Sequence, residues 1–218
     1  MNTVRLKYAM RAYARKHGLE VPKGYTPSSP VWGKGAKTLA WRITGHAKKE
    51  QSTSPVAVQA ILFPKTLGQR IAEVALSQVG VHEDPYGSND GPQIRKYQRA
   101  GGIPHPENLP PDSKQWCGCF VSWCARTAGY HGKLPPAPAW VPSWATFRPV
   151  ARRSLKPGDY VCLWGSGHIE VFISWRIRYV LANCVGGNTS PVGKNANGGM
   201  VARTTRYVTE MNAAGRVG

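Results

Sequence analysis

The sequence predicts an α+β protein, with helices first and antiparallel strands afterwards. Apolar residues recur at helical spacing in segments up to residue 130, whereas apolar and polar residues alternate after the turn Lys156–Asp159. This order of elements is typical of the α+β class. With 218 residues, the chain is long enough for one medium domain with a core of its own and a second, smaller domain.

Residues 1–65 are expected to form a small unit of three helices. The helices are predicted over residues 3–18, Val31–Ile43 and Pro55–Pro64, the last with proline at each boundary. This unit contains 12 basic and 2 acidic residues, and therefore carries +10 of the chain's net charge of +18. A surplus of this size indicates a polyanionic partner, such as nucleic acid, anionic lipid or a bacterial cell wall.

Residues 66–218 are expected to form a second domain, which begins with three helices. These helices are predicted over Thr66–Val81, Gly91–Gly102 and Gln115–Tyr130. The irregular aromatic segment Leu134–Phe147 is expected at the rim of a groove. The sequence therefore predicts a helical first half for this domain.

Three antiparallel strands are predicted in the remainder of this domain, over residues 160–164, 168–175 and 178–185. Along the second strand, His168 and Glu170 lie on one face, and Ile169 and Val171 lie on the other. We expect Ile169 and Val171 to pack into the core. The helix that contains Cys117 is then expected to cover the face of His168 and Glu170.

Cys117 and His168 are the residues most able to form a nucleophile and its base. In the first turn of a helix, unpaired N–H groups and the positive end of the dipole stabilise a thiolate. A histidine at the start of a strand supplies the base of such a pair. A third polar group should orient the imidazole, and the alternatives are Asn183, Asn188 and Glu170. The competing interpretation of Cys117 is a small buried core residue.

The five cysteines are an odd number without paired CxxC motifs, so neither a zinc site nor a disulfide framework is predicted. Four of them are expected to have packing roles: Cys119, Cys124, Cys162 and Cys184. The polar loop Glu83–Gly91 lacks the ligand spacing of an EF-hand. We expect no bound metal and no cofactor.

Three segments in this order resemble the CHAP family of papain-like cysteine amidohydrolases and peptidases: WCGCFVSWC, KPGDYVCLWGSGHIEVF and GGNTS. The resemblance covers roughly residues 66 to 205, and it implies helices packed on a small antiparallel sheet. It also implies that Cys117 is the nucleophile, that His168 is the general base and that Asn188 completes the site. Many members have Glu-x-Asn at the last motif, where this chain has Gly186-Gly187-Asn188. The orienting role therefore falls to Asn188, Asn183 or Glu170.

The same resemblance implies a peptidoglycan hydrolase, most like a bacteriophage endolysin. It would act either as a D-alanyl-glycyl or stem-peptide endopeptidase or as an N-acetylmuramoyl-L-alanine amidase. The backbone N–H of Cys117 and the side chain of Gln115 would stabilise the oxyanion. Further residues are expected to contact the substrate: Trp116, Asn89, Trp140, Trp144, Glu170 and Asn183.

The first unit resembles the three-helix peptidoglycan-binding domains that accompany such catalytic domains. The residues that carry this likeness are RAYARKHGL, VWGKGAKTLAWRI and VAVQAILFP. It implies that the expected partners are peptidoglycan and anionic wall polymers. The alternative function is a non-catalytic basic protein that binds wall polymers or nucleic acid. Nucleic acid is not the expected partner, because the sequence contains no RRM, KH or zinc-finger signature.

Two further features of the sequence concern location. No apolar run is long enough to cross a bilayer, and the basic N-terminal segment lacks the apolar core of a secretory signal. We therefore expect no transmembrane segment. We also expect a monomer. It would be made in the host cytoplasm and would act on the wall once released.

Overall fold

The computed structural model describes residues 2–47, 52–190 and 198–218, and the chain divides into two compact units, Met1–Lys65 and Thr66–Gly218. Seven helices and five strands are described, and the predicted α+β class is confirmed. No helix within the described ranges is both long and apolar enough to cross a membrane.

The first unit contains three helices: α1 (Thr3–Lys16), α2 (Lys34–His46) and α3 (Pro55–Leu62). Their apolar faces meet in one cluster formed mainly by Leu6, Met10, Leu39, Ile43 and Val58. Helix α1 begins after Asn2, whose side chain accepts a hydrogen bond from the N–H of Arg5. Helix α2 begins three residues later than predicted, because Gly33 is extended and forms its N-cap.

The second unit begins with three of its four helices: α4 (Leu67–Ser77), α5 (Pro92–Ala100) and α6 (Cys117–Thr127). A capping box formed by Thr66 and Gln69 starts α4. Helix α6 is buried on nearly all sides, and Gly129, which follows its C-cap Ala128, has a φ of +91°. The fourth helix is the short α7 (Pro142–Ala145), which lies in the segment predicted to be irregular.

The sheet of this unit has five antiparallel strands in the order β4–β3–β2–β1–β5. In chain order the strands are β1 (Tyr160–Leu163), β2 (His168–Ile177), β3 (Leu181–Thr189), β4 (Met200–Tyr207) and β5 (Met211–Gly215). The predicted strands correspond to β1, β2 and β3. Strands β4 and β5 were not anticipated, and β5 has few β-forming residues but pairs with the exposed edge of β1.

Helix α6 packs against the sheet face that carries Ile169, Val171 and Val185. The opposite face carries a second cluster around Phe172 and Cys184. The prediction that α6 covers the face of His168 and Glu170 is therefore wrong. The physical reason is that Ile169 and Val171 bury their apolar side chains against the apolar residues of α6, whereas His168 and Glu170 are polar.

Candidate functional site

Cys117 is the first residue of α6 and is almost completely buried, with 4% of its surface exposed. Its predecessor Trp116 is held by a carboxylate, because the indole Nε1 donates to Glu83 Oε1 at 2.8 Å. Glu83 Oε2 accepts a second bond from the N–H of Gly87 at 2.9 Å. These bonds hold the side chain of Trp116, which is the N-cap of α6 and directly precedes the thiol.

His168 is the first residue of β2, and its side chain is fully buried. Its Nε2 lies 3.4 Å from Glu170 Oε1, and the Cys117 thiol is also close enough to act on the ring. Neither ring nitrogen makes a hydrogen bond of regular geometry with any described residue. Burial would lower the pKa of His168, but the Cys117 thiol and the Glu170 carboxylate outweigh burial and raise the pKa to about 9.

Glu170 is held by two side chains from β4. Arg206 donates from Nε to Oε2 at 3.1 Å and from Nη2 to Oε1 at 2.5 Å, and Thr204 Oγ1 donates to Oε2 at 2.6 Å. Burial would raise the pKa of this carboxyl, but the nearby His168 ring and the bonds from Arg206 hold it well below its ordinary range. Glu170 is therefore an ionised carboxylate placed beside the imidazole.

Gly186 makes room for that carboxylate. In the β2–β3 pairing, Gly186 lies opposite Glu170. A Cβ at position 186 would lie 2.9 Å from both Cγ and Oε1 of Glu170. The carboxylate beside the imidazole therefore comes from β2, and the glycine on β3 leaves the space that it occupies.

Trp164 covers the histidine from the solvent side. Its ring stacks on the imidazole with 5.6 Å between centroids and 23° between planes, and 40% of its surface is exposed. The Arg206 guanidinium lies 4.8 Å from the centroid of the same indole. Trp164 has a φ of +51°, which is uncommon for a bulky residue, so the backbone holds the ring in this place at some cost.

The three proposed orienting residues have different partners. Asn188 donates to Asn89 Oδ1 at 3.0 Å and accepts from the N–H of Gly199 at 3.4 Å. Asn183 donates to Ser174 Oγ, six residues along β2 from His168 and roughly 20 Å from it. Glu170 Oε1 lies 3.4 Å from His168 Nε2. Asn183 is therefore too far from the imidazole to orient it, which corrects that expectation, and the described residues show no bond between Asn188 and the ring.

The predicted substrate contacts divide into buried and accessible residues. Trp116 and Trp144 have no exposed surface, because the first stacks on Tyr97 and the second packs edge-to-face on Tyr160. Both are core residues, which corrects the expectation that they touch substrate. Gln115 is exposed, and so is Trp140, with 63% of its surface accessible. Asn89 is partly buried and bound to the Asn188 amide.

The other four cysteines are less suited than Cys117 to be a nucleophile. All five cysteines are free and buried. Burial raises the pKa of Cys119 and Cys124 far above the ordinary thiol value, and burial together with Cys117 raises that of Cys162 to about 12. Burial also raises the pKa of Cys184. These thiols are therefore neutral packing groups at physiological pH.

Within the described ranges, no group of three or more His, Cys, Asp or Glu residues is arranged to hold a metal ion. Asp90, in the loop considered for calcium, instead binds Lys114 at 2.7 Å and Arg95 at 2.6 Å. Its pKa lies well below the ordinary range, because these hydrogen bonds outweigh the effect of burial.

Four residues that belong to the site were not found by sequence reasoning: Glu83, Trp164, Thr204 and Arg206. Trp164 directly precedes the Gly-Ser-Gly turn before His168, and this closeness in sequence was the one signal that could have placed it in the site. Arg206 and Thr204 lie almost forty residues after the histidine, in a strand that was not predicted. Only strand pairing brings them to Glu170.

No protein-family model matches this chain, and no curated protein sequence matches it significantly. Function is therefore inferred from the residues and their geometry.

Proposed function

We propose that the unit Thr66–Gly218 is a cysteine-dependent hydrolase of an amide bond in peptidoglycan. In this proposal Cys117 is the nucleophile, His168 is the general base, and Glu170 orients the imidazole. The observation that supports it best is the place of His168 between a helix-start thiol and an ionised carboxylate. The resemblance of the three ordered motifs to the CHAP family supplies the substrate class.

The chemistry would proceed through a thioester. The Cys117 thiol transfers its proton to His168, and the thiolate attacks the carbonyl carbon of the amide. The C–N bond then breaks, and the imidazolium donates its proton to the leaving nitrogen. A water molecule next loses a proton to His168 and attacks the thioester. The products are a carboxylic acid and an amine, and the thiol is regenerated.

The start of α6 would stabilise the oxyanion of the tetrahedral intermediates. The N–H groups in the first turn of a helix have no intrahelical partner, and the helix dipole is positive there. No acidic side chain lies in the first turn of α6, and no side chain caps it. The N–H of Cys117 is the donor that this proposal assigns to the oxyanion.

The basic first unit would hold the enzyme on the wall. Its net charge of +10 suits teichoic acids and the carboxylates of wall peptides, which are polyanionic. Both amidase and endopeptidase activity fit this chemistry, since the same thiol mechanism cleaves either bond. Mass spectrometry of fragments released from purified walls would identify the new termini and so the bond.

The central test is Cys117→Ala in the full chain, with Cys119→Ala as the matched control two residues away in the same helix. We expect Cys117→Ala to lose clearing of purified walls while still sedimenting with them at moderate salt. Cys119→Ala should keep measurable hydrolysis. If Cys117→Ala still releases wall peptides, the thiol mechanism is wrong. If the wild type releases none but binds DNA at moderate salt, the non-catalytic alternative is correct.

A further inference from the structure

Arg206 is a buried residue whose guanidinium group lies in the candidate site. Its side chain is 2% exposed and bonds both oxygens of Glu170, while its guanidinium packs on the indole of Trp164. Trp164 in turn stacks on His168, and Glu170 lies beside the same imidazole. Arg206 therefore contacts both groups that enclose His168, although it comes from a different strand.

Four ionisable groups follow one another in this site: the Cys117 thiol, the His168 imidazole, the Glu170 carboxylate and the Arg206 guanidinium. When the thiol is ionised and the imidazole is protonated, the site holds two negative and two positive charges, and its net charge is zero. Without the guanidinium, the imidazolium would be shared between the carboxylate and the thiolate, and the buried site would carry one uncompensated negative charge. Such a charge is costly in a site that excludes water.

The neighbouring titratable groups do not replace this cation. The thiols close enough to act electrostatically on members of the site are Cys119 on α6, Cys162 on β1 and Cys184 on β3. All three are neutral, for the reason given above. Glu210, in the turn between β4 and β5, also acts on Arg206, and it adds negative rather than positive charge there.

We infer that Arg206 is a positioning residue whose charge balances Glu170 and so leaves the His168 imidazolium available to stabilise the Cys117 thiolate. This inference rests on the proposed function, because it assigns a purpose to the thiolate. Arg206 does not reach the substrate; it acts through Glu170 and through Trp164. A lysine at this position would keep the charge but not the two parallel hydrogen bonds.

The test is a titration of the thiolate by its ultraviolet absorbance, with the Cys117→Ala protein as the baseline. Arg206→Met should move the midpoint of thiolate formation upward, because the site then holds one more uncompensated negative charge; the shift should be smaller than the roughly 1–3 units that a directly adjacent charge produces. Arg206→Lys should stay close to the wild type. Glu170→Gln should move the midpoint downward, and the double variant Glu170→Gln/Arg206→Met should return it toward the wild-type value.

An unchanged midpoint in folded Arg206→Met would overturn the inference. If Arg206→Met does not fold, the comparison of Glu170→Gln with the double variant decides, because equal midpoints in those two would overturn it as well. Glu210→Gln is the control for a nearby charge that does not bond Glu170, and it should shift the midpoint far less. The titration uses no substrate. A failure of wall hydrolysis with the expected midpoints would therefore refute the proposed function and leave the charge balance intact.

Discussion

Replacing Gly186 by alanine tests whether the Glu170 carboxylate occupies the place described. The new Cβ would lie 2.9 Å from Glu170 Cγ and Oε1, whereas carbon atoms in contact are about 3.5–4.0 Å apart. The carboxylate would have to move by several tenths of an ångström, and its bonds to Arg206 oppose that movement. Overpacking of this kind costs about 1–3 kcal/mol, which lowers the Tm of a domain of this size by roughly 2–12 °C.

The same displacement should reduce activity. The atom that is pushed, Oε1, is the one that lies 3.4 Å from His168 Nε2. We expect kcat/KM for a soluble wall fragment to fall roughly tenfold or more, because sub-ångström placement of catalytic groups is worth factors of this order. The assays are thermal unfolding and steady-state hydrolysis of the purified full chain.

The control is to introduce Gly186→Ala into the Glu170→Ala variant and to compare its effect on stability with that in the wild type. Without the carboxylate, the clash disappears, and alanine at position 186 should stabilise the strand by about 0.5–1 kcal/mol through its lower backbone entropy in the unfolded chain. The sign of the effect should therefore reverse between the two backgrounds. If Gly186→Ala is neutral in the wild type, or equally costly in both backgrounds, Glu170 does not fill the space beside Gly186.

Two further predictions concern pH and the start of α6. Because the folded-state pKa of His168 is raised from 6.5 to about 9, protonation of its ring stabilises the folded unit. That contribution is complete below about pH 6.5 and is lost as the pH rises through about 9, so Tm and kcat/KM should both fall across this range, and a flat profile would contradict the assignment. Glu83→Ala should lower the free energy of unfolding, measured in urea, by about 1–3 kcal/mol, because it leaves the buried indole N–H of Trp116 unpaired. Glu83→Gln should lower it less, because an amide oxygen can still accept that bond. Equal stability of these two variants and the wild type would contradict the role given to Glu83.

Local patterns in the sequence were sufficient to predict the two elements that carry Cys117 and His168. The helix that starts at Cys117 and the strand that starts at His168 were both predicted, because a glycine-ended apolar helix and an alternating strand are local signals. The α+β class followed from their order along the chain. The roles of these two residues remain predictions.

The third member of the site could not be chosen in the same way. Glu170 lies two residues after the histidine, and Asn183 and Asn188 lie on the next strand, 15 and 20 residues after it; side-chain type did not choose among them. The β2–β3 register pairs Asn183 with Ser174, far along β2 from His168, and places Gly186 opposite Glu170. A shift of one residue in that register would have turned a different set of side chains toward the site.

The sequence by itself determined the class of fold, the basic first unit and the pair of reactive residue types, since these depend on composition and on short-range periodicity. Only the tertiary structure decided which sheet face α6 covers, that Trp144 is a core residue, and that Arg206 and Trp164 enclose the imidazole. These facts depend on contacts between residues far apart in the chain. Such contacts are set by strand pairing and by burial of the larger apolar face, and neither is encoded in any single segment.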